Sequence, residues 1–481
     1  MVASKEWIVG TPSQYDGAGL EIAIIGSGSA AFAAAIRAGE AGARVTMIEQ
    51  GTLGGTCVNV GCVPSKIFIR AALMRHDAGH HPFDGLGHAA LSVDRARLQA
   101  LQQHRVEELR QAKYQSILDA NERIHLIRGR ARFVGAREIE VEAEAGHRRL
   151  HPDRVLIATG AAPITPPIPG LADTPYWTST EALGASELPA SLAVLGGSAV
   201  GLELAQAFAR LGVKVTVIEL APHLLPREEA LLGERLGRYL GEEGLEILTG
   251  ARTESVHHAD GGFELRVDGG TIRAERLLVA VGRRADTDGL DLELAGIATE
   301  SNGAIRVDAH LRTGAEHIYA AGDCTSNPQF VYVAAAAGTR AAINMTGGEA
   351  TLDLSTMPAV VFTDPGVAGV GLTEETARSR RMIVETRTLE LENVPRALAN
   401  FDTRGFIRLV AEDGTGRLLG AQVLAAEAGE IIQSAALAIR NRMTVEDLAG
   451  QLFPYLTMVE GIKLCAQTFS RDVSRLSCCA G

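Results

Sequence analysis

The sequence predicts an α/β protein with two Rossmann-like domains and a smaller α+β domain at the C-terminal end. A glycine-rich turn between a buried strand and a helix occurs twice, and the first glycines of the two copies, Gly26 and Gly196, are 170 residues apart. After about residue 357, strand-like runs followed by helical patterns replace this repeat. We therefore interpret the first two domains as an internal duplication and the third as a separate unit.

In the first copy, we predict a buried strand at residues 21–25, an alanine-rich helix at 32–41 and a second strand at 44–48. The turn Gly26-Ser-Gly28-Ser-Ala-Ala31 matches the G-x-G-x-x-A form of the dinucleotide fingerprint. Its glycines let the backbone approach a pyrophosphate, and the helix N-terminus offers N–H donors. Glu49, at the end of the second strand, can bond ribose hydroxyls. This copy is predicted to bind a dinucleotide.

The second copy repeats these elements with one change. A strand is predicted at residues 192–195, a helix at 202–211 and a strand at 213–218, which ends at Glu219. The turn is Gly196-Gly-Ser198-Ala-Val-Gly201, so that Ser198 replaces the middle glycine. Each copy is followed by a similar apolar strand, VLIATG ending at Gly160 and LLVAVG ending at Gly282. Position within the repeat favours a second dinucleotide site.

The remaining segments carry weaker signals. Residues 90–125 are charged and helical in period, which predicts a solvated helix, and the proline-rich run 161–170 is a predicted domain boundary. In the third unit, strands are predicted at 359–362, 367–372, 405–410 and 418–424, with helices at 430–441 and 445–451. No nucleotide fingerprint occurs in this part of the sequence.

The composition excludes several classes of protein. The chain has 481 residues and a formal net charge of −12, with no run of like charges, so a nucleic-acid partner or an anionic membrane surface is not expected. The first ten residues lack the apolar core of a signal peptide, and no uninterrupted apolar run of about eighteen residues occurs, so no membrane insertion is expected. We expect a cytoplasmic enzyme. Six cysteines are too few for a disulfide scaffold of this length.

Cys57 and Cys62 form the first candidate chemical site. On a regular helix, side chains five residues apart point about 140° away from each other, so a bond between these two requires irregular backbone. Gly54, Gly55 and Gly61 can supply it. Pro64 predicts a helix start near Cys62, where the N-terminus and a lysine one turn later would lower the pKa of a thiol. A redox-active pair is favoured over a structural disulfide or two buried thiols.

The run GGTCVNVGCVPSK at residues 54–66 closely resembles the redox-disulfide motif of the FAD-dependent pyridine nucleotide disulfide oxidoreductases. The resemblance covers nearly the whole chain, and IYAAGD at 318–323 is similar to the second flavin-contact motif. It implies an FAD-binding domain in two parts, 1–160 and 285–356, an NAD(P)-binding domain at 161–284 and a dimerisation domain at 357–481. It also implies a homodimer with its active sites at the interface.

The same resemblance assigns residue roles. Cys62 is expected to stack against the flavin, Cys57 to exchange with substrate, and Lys66 to pair with Glu203 beside the flavin ring. The positions expected to contact FAD are Gly26, Gly28, Ala31, Glu49, Gly51, Thr56, Lys66, Ala131, Gly160, Asp323 and Val331. Those expected to contact NAD(P)H are Gly196, Ser198, Gly201 and Glu219.

Family members that act on organic disulfides or dithiols use a histidine acid–base catalyst in a His-Pro-Thr sequence followed by glutamate. The matching segment here is Phe453-Pro-Tyr-Leu-Thr-Met-Val-Glu460, with Tyr455 at the place of the histidine and Glu460 retained. The last histidine of the chain is His317, so the third domain has no imidazole. A thiolate leaving group needs a proton donor near neutral pH, and this absence argues against an organic disulfide as substrate.

The C-terminal tail carries the second candidate site, the adjacent pair Cys478 and Cys479. Two soft sulfurs fit a two-coordinate thiophilic cation such as Hg²⁺, whereas structural zinc needs four ligands. A chance pair in a frayed terminus is the alternative. With the redox motif and Tyr455, the tail resembles the mercury-reducing members of the family. Cys324 and Cys465 lack neighbouring thiols in the sequence and are expected to be buried.

That resemblance implies reduction of Hg(II) to Hg(0) for mercury detoxification. Hg(II) would arrive as a thiol adduct, bind Cys478 and Cys479 of the partner subunit, and pass to Cys57 and Cys62. Tyr455 would either hydrogen-bond a thiolate or pack in the interface. NADPH is the expected donor, although the acid Glu219 suits NADH. We expect a catalytic core without an N-terminal metal-binding domain, because no Cys-x-x-Cys motif occurs.

Overall fold

The computed structural model describes residues 19–472 and contains fourteen α-helices within them. Cys478 and Cys479 lie outside the described residues. The helices are α1 (Ser29–Glu40), α2 (Gly55–Val60), α3 (Cys62–His80), α4 (Arg95–Arg110), α5 (Ser116–Ala120), α6 (Ser179–Gly184), α7 (Ala199–Arg210), α8 (Ala230–Glu242), α9 (Val331–Met345), α10 (Glu374–Ser379), α11 (Pro395–Asn400), α12 (Ala428–Arg440), α13 (Val445–Gly450) and α14 (Glu460–Gln467). A π-helical turn, Gln111–Gln115, joins α4 to α5.

Twenty-two strands occur in the same range. They are β1 (Glu21–Ile25), β2 (Arg44–Glu49), β3 (Ile124–Arg128), β4 (Arg130–Gly135), β5 (Glu138–Ala143), β6 (Gly146–Leu150), β7 (Arg154–Ile157), β8 (Ala161–Pro163), β9 (Ser191–Leu195), β10 (Lys214–Ile218), β11 (Glu246–Leu248), β12 (Thr253–Ala259), β13 (Gly262–Val267), β14 (Gly270–Ala274), β15 (Arg276–Val279), β16 (Arg283–Ala285), β17 (Ile318–Ala320), β18 (Ala359–Val361), β19 (Gly366–Gly371), β20 (Val384–Glu390), β21 (Phe406–Glu412) and β22 (Leu418–Ala425).

The chain divides into two compact units. The first contains residues up to Ile67 together with Ala96–Ile164 and Gly282–Leu352. Its main sheet is parallel, in the order β17-β7-β1-β2-β3, with β4-β5-β6 as a separate antiparallel sheet. Helices α1 and α9 approach closely in its core, since a Cβ on Gly338 would lie 2.0 Å from the carbonyl oxygen of Ala30. Small residues therefore set the spacing of these helices.

The second unit contains Phe68–Arg95, Thr165–Val281 and the chain from Asp353 onward. Its parallel sheet has the order β11-β10-β9-β15. Strands β12-β13-β14, which come between β11 and β15 in the chain, form a separate antiparallel sheet. A five-stranded antiparallel sheet, β18-β19-β22-β21-β20, follows after residue 357. Every residue of β22 is buried, and α12 contributes Ile431 and Ile432 to the same core.

Both predicted strand–helix–strand repeats are present. The first strand of each repeat, β1 or β9, lies between two parallel neighbours. The two helices begin three residues earlier than predicted, at Ser29 and Ala199. The residues before them, Gly28 and Ser198, have extended backbone and act as N-caps, so helical geometry begins directly after the turn. The early start brings the helix N–H groups to the glycine turn.

The prediction of one solvated helix over residues 90–125 is wrong in two respects. The segment is divided into α4, a π-turn and α5, and its Arg95, Gln102 and Val106 side chains are buried. Arg95 donates a 2.8 Å hydrogen bond to the Leu183 carbonyl, and its guanidinium lies 4.7 Å above the Phe68 ring. The charged segment therefore forms helices with one buried face.

One helical stretch among the described residues, Gly55–His80, has the length and apolar composition that could cross a membrane. A core helix of a soluble protein meets the same criterion, so this is weak evidence for insertion. The stretch is interrupted at Gly61, which separates α2 from α3.

Candidate active site

The first glycine turn is shaped for the close approach of a ligand to the backbone. Gly26 has φ +113°, and a Cβ added there would lie 2.3 Å from the carbonyl oxygen of Ala158, so only glycine fits. A Cβ on Gly55 would lie 2.7 Å from the Cα of Gly28. The N-cap of α1 is Gly28, which has no side chain to bond the first N–H groups of the helix. This cradle and its N–H donors fit the pyrophosphate of FAD.

Glu49 is fixed at the edge of this cradle by two short hydrogen bonds. The Ser27 hydroxyl donates to one carboxylate oxygen at 2.6 Å, and the Gly51 N–H donates to the other at 2.6 Å. The Ser27 oxygen also accepts a bond from the Gly54 N–H at 3.2 Å. The predicted ribose-binding acid is thereby connected to the segment that carries the cysteines.

The other positions expected to contact FAD lie in the same unit. Ala31 and Ala131 are buried, Gly160 has φ +79° with open space around it, and Val331 is the first residue of α9. Asp323 follows β17, and burial raises the pKa of its carboxyl while the charge of Arg283 opposes that shift. Small buried residues and one partly shielded acid are consistent with a bound flavin nucleotide.

The two cysteines of the redox motif lie on either side of a helix break. Cys57 is in α2, and Cys62 is the first residue of α3. The break is at Gly61, where a Cβ would lie 2.9 Å from the carbonyl oxygen of Thr56. Asn59 donates to the carbonyl oxygens of Leu53 and Gly55 at 2.9 and 2.8 Å, which holds α2 in place. The expected irregular backbone and helix start are both present.

Cys57 is half-buried and Cys62 is exposed. The alternative of two buried thiols is therefore wrong. The pKa of Cys57 is raised, first by its side-chain hydrogen bond with Cys62 and then by burial, whereas the charge of Lys66 opposes the shift. The two thiols therefore interact directly.

The sequence analysis did not identify two further residues near this pair, Arg283 and Tyr114. The Arg283 guanidinium donates to the Thr56 hydroxyl at 3.5 Å and to the Ala161 carbonyl. Burial lowers the pKa of this guanidinium, and the charges of Asp323 and Cys62 oppose that shift. The Tyr114 ring packs edge-on against Phe32, with centroids 4.9 Å apart.

Burial raises the pKa of Tyr114, and the charge of Cys57 adds to the shift. Arg283 directly follows the LLVAVG run that ends at Gly282, so the sequence marks its position in the chain but not its contacts. Tyr114 lies in the π-turn of the charged segment, where nothing in the sequence distinguished it.

The second glycine turn reproduces the geometry of the first. Gly196 has φ +105°, and its Cβ would lie 2.5 Å from the carbonyl oxygen of Ala280. A Cβ on Gly201 would lie 2.0 Å from the carbonyl oxygen of Gly196. Glu219 accepts hydrogen bonds from the N–H groups of Gly197 at 2.6 Å and Ala221 at 2.7 Å. This turn also fits a dinucleotide pyrophosphate, and Ser198 is its N-cap without a side-chain bond.

Of the other predicted catalytic residues, Lys66 lies in the first unit, whereas Glu203, Tyr455 and Glu460 lie in the second. Glu203 is buried in α7 and accepts a hydrogen bond from the Phe362 N–H at 3.0 Å. Glu460 is buried at the start of α14 and accepts from the Leu456 N–H at 3.3 Å. Tyr455 precedes Leu456 and is 58% exposed. The pairing of Lys66 with Glu203 and the role of Tyr455 stay predictions.

Cys324 and Cys465 are fully buried, as expected. The Cys324 thiol donates to the Ile157 carbonyl at 3.4 Å, and the Cys465 thiol donates to the Ile407 carbonyl at 3.3 Å. Burial raises the pKa of Cys324 to about 11 and that of Cys465 to about 12. Both remain protonated at neutral pH and are unsuited to bind a metal.

Comparison of the sequence with known proteins identifies the family of the chain. The family described as "Pyridine nucleotide-disulphide oxidoreductase" matches residues 20–338, and its dimerisation domain matches residues 357–466. A mercuric reductase of Acidithiobacillus ferrooxidans is 58% identical over 98% of this chain and 86% of its own length. Another, of Shigella flexneri, is 59% identical over 96% of this chain and 83% of its own length.

Among solved structures, an HOCl-induced flavoprotein disulfide reductase of Escherichia coli, in complex with Cu(II), superposes with a TM-score of 0.85. It is 31% identical and covers 93% of this chain and 99% of its own. The predicted fold class, with two Rossmann-like domains and a dimerisation domain, is confirmed. The chain belongs to the pyridine nucleotide-disulphide oxidoreductase family and, within it, to the mercuric reductases.

Proposed function

We propose that this protein reduces Hg(II) to elemental mercury with electrons from NADPH, and that Cys57 and Cys62 are the ligands of the metal when it is reduced. The observation that carries the proposal is the pair of interacting thiols at the break between α2 and α3, in the unit that contains the first dinucleotide cradle. The relatives named mercuric reductase support the same substrate.

Each nucleotide has a set of candidate residues. FAD would be held in the first unit by the turn from Gly26 to Ala31, by Glu49 and by Asp323, and the second turn, from Gly196 to Gly201, would hold NADPH. When bound, FAD supplies the two electrons that it accepts as hydride from NADPH. The protein contributes a backbone cradle, fixed acids and a position for the thiols beside this cradle.

The metal step needs two electrons and two sulfur ligands. Cys57 and Cys62 lose their protons as they form S–Hg bonds, and each bond replaces a bond from Hg(II) to an incoming thiol. The hydrogen bond with Cys62 and burial raise the pKa of Cys57, and the positive charge of Lys66 acts against that rise. Two electrons then convert Hg(II) to Hg(0), both S–Hg bonds break, and the two sulfurs keep their bonding pairs as thiolates. The soft ion stays bound to sulfur until it is reduced.

Delivery of the metal would use the C-terminal pair, Cys478 and Cys479. The match to the dimerisation domain supports a homodimer. We infer that the active sites lie at its interface, so that the tail of one subunit supplies Hg(II) to Cys57 and Cys62 of the other. Tyr455, which is exposed in the dimerisation domain, could then donate a phenol hydrogen bond to a sulfur during transfer. A cytoplasmic protein without membrane insertion fits this role.

The function is tested with the purified holoenzyme, NADPH, HgCl₂ and excess thiol. We expect Hg(II)-dependent oxidation of NADPH with release of one volatile mercury atom for each NADPH consumed. The control reactions replace Hg(II) with glutathione disulfide or lipoamide, which should give little oxidation because the third domain has no histidine. Binding of Hg(II) without volatile product would indicate a sequestering flavoprotein and contradict the proposal.

A further inference from the structure

Helix α7 has a buried polar face that binds one short segment of the chain, residues 362–364. The face consists of Glu203, Gln206 and Arg210, which lie three and four residues apart and therefore on one side of the helix. Their relative exposures are 7%, 4% and 6%. Polar groups buried to this extent need fixed partners, and all three find a partner between Phe362 and Asp364.

Gln206 pairs with both backbone groups of Asp364. Its Oε1 atom accepts the Asp364 N–H at 2.8 Å, and its Nε2 atom donates to the Asp364 carbonyl at 2.7 Å. Nε2 also lies 3.2 Å from each carboxylate oxygen of Glu243, and only the nitrogen end of an amide can donate to a carboxylate. The amide thus takes the place of a neighbouring strand and fixes the backbone at Asp364.

Charged groups hold the side chain of Asp364 in the same place. Arg210 donates to one carboxylate oxygen at 2.7 Å, and Arg404 lies 3.3 Å from the other. Arg210 also donates to both oxygens of Glu243, at 2.6 and 2.9 Å. Asp364 is therefore held through its main chain by Gln206 and through its carboxylate by two arginines.

Glu203 depends on this segment for its orientation. Its Oε1 atom accepts the N–H of Phe362 at 3.0 Å, two residues before Asp364. The helix that carries Glu203 is itself anchored, because the Phe208 ring packs edge-on against Phe68 with centroids 4.9 Å apart. With α7 fixed in this way, a movement of the Phe362 N–H would redirect the Glu203 carboxylate.

We propose that Gln206 is a positioning residue for electron transfer from NADPH: it fixes residues 362–364 and, through the Phe362 N–H, the Glu203 carboxylate. The proposal rests on the function given above and on the predicted pairing of Glu203 with Lys66 beside the flavin. A lysine held there opposes the negative charge that develops on the flavin as it accepts hydride. Gln206 touches neither nucleotide in this account and acts only through Glu203.

The test compares Gln206→Met with the wild-type holoenzyme in anaerobic stopped-flow reduction of the flavin by NADPH, without mercury. Methionine keeps the length of the side chain and removes both bonds to Asp364. We expect the limiting rate of flavin reduction to fall at least about ten-fold, whereas the apparent dissociation constant of NADPH should change by less than about two-fold. Gln206→Asn, which keeps an amide but is one methylene group shorter, should show the same defect and serves if Gln206→Met does not bind FAD.

Arg235→Gln is the matched control. Arg235, on α8, pairs with Glu390 at 3.1 Å and so also joins the second repeat to the third domain, through a bond that involves neither α7 nor residues 362–364. Its rate of flavin reduction should equal that of the wild type. Hydrogen exchange of the holoenzyme, followed by mass spectrometry, should be faster over residues 361–364 in Gln206→Met and unchanged there in Arg235→Gln.

A double-mutant cycle separates positioning from support of the fold. If Gln206 acts through Glu203, Gln206→Met should change the limiting rate by less than about two-fold in a Glu203→Gln background. Equal effects in both backgrounds would overturn the proposal, and so would a wild-type rate of flavin reduction in Gln206→Met with faster exchange over residues 361–364. If flavin reduction follows these expectations but Hg(II) is not reduced, the proposed function fails and this inference stands. If NADPH does not reduce the wild-type flavin, both fail.

Discussion

Four of the cysteines lie in the described residues, and their surroundings separate them by function. Cys57 and Cys62 interact with each other at a helix break, and Cys62 is exposed. Cys324 and Cys465 are fully buried and donate to backbone carbonyls. A thiol binds a metal as thiolate, and burial disfavours that form. This difference in environment supports the metal chemistry proposed for the first pair and a packing role for the second.

The buried thiols give a prediction for the pH dependence of stability. The pKa of Cys465 is raised by burial to about 12 from an ordinary value of 9.0. The thiol is protonated in both states below about pH 9, but above it only the unfolded chain loses the proton. The contribution of this thiol to the free energy of unfolding is therefore complete below pH 9 and is lost as the pH rises toward 12. Between pH 9 and 11, the free energy of unfolding should fall by up to about 1.4 kcal/mol per pH unit for this thiol, and the midpoint of thermal unfolding should fall with it.

Cys465→Ala is the matched variant for this prediction. It removes the titrating group and leaves a small apolar side chain in the same core, so its unfolding midpoint should depend less on pH than that of the wild type. Parallel pH profiles for the two proteins between pH 9 and 11 would contradict the raised pKa of Cys465.

At the scale of elements, the turn between α2 and α3 places Cys57 and Cys62 on two different helices. A continuous helix would separate Cys57 and Cys62 by about 140° around its axis. Gly61 interrupts it, with φ −125° and ψ −115°, and its missing side chain makes room for the carbonyl of Thr56. The break lets the second helix start at Cys62.

Gly61→Ala should therefore impair the redox site. The new Cβ would lie 2.9 Å from the Thr56 carbonyl oxygen and 3.3 Å from the Cα of Cys57, so α2 must shift. We expect Hg(II)-dependent turnover to fall at least about ten-fold, since small displacements of reacting groups are costly.

Gly79→Ala, in the same helix as Cys62, is the control. Its Cβ would have an ordinary contact of 3.7 Å with the Ala89 carbonyl oxygen, and the helix should gain about 0.5–1 kcal/mol. Equal turnover of Gly61→Ala and wild type would show that the break is not required.

The sequence predicts the elements with strong periodicity and misses those without it. The two glycine turns and the acids after them were found because strand, turn, helix and acid occur in a fixed order around Gly26 and Gly196. Strand β20, Val384–Glu390, was missed because it is mostly polar and only partly buried. The antiparallel sheet β4-β5-β6 has similarly charged strands, with four exposed residues in β6. These strands depend on cross-strand pairing more than on their own pattern.

Site residues follow the same rule. Gly26, Glu49, Cys57 and Cys62 belong to motifs whose spacing can be recognised. Tyr114 lies in a π-turn and its ring packs on Phe32, and neither feature has a signature in the sequence. Arg283 depends on the carbonyl of Ala161 and on Asp323, which are distant in the chain. Tertiary contacts determine both positions.

At the scale of the whole molecule, the proposed path of mercury requires two cysteine pairs and two subunits. Cys57→Ser in one chain and Cys478→Ala with Cys479→Ala in the other would leave, in a mixed dimer, one redox pair and one tail on different chains. Delivery between subunits predicts that this mixed dimer turns over at limiting external thiol, whereas each parental homodimer does not. An inactive mixed dimer, with both subunits folded and flavin-loaded, would contradict delivery between subunits.

The most direct measurement of the central claim is mercury volatilisation by the wild type, Cys57→Ser and Cys62→Ser, each with bound FAD and NADPH. If the two thiols hold Hg(II) while it is reduced, each variant should lose at least about a hundred-fold in turnover while its flavin is still reduced by NADPH. Cys465→Ala should retain turnover as the control. Wild-type rates of mercury release from either Cys57→Ser or Cys62→Ser would contradict the account.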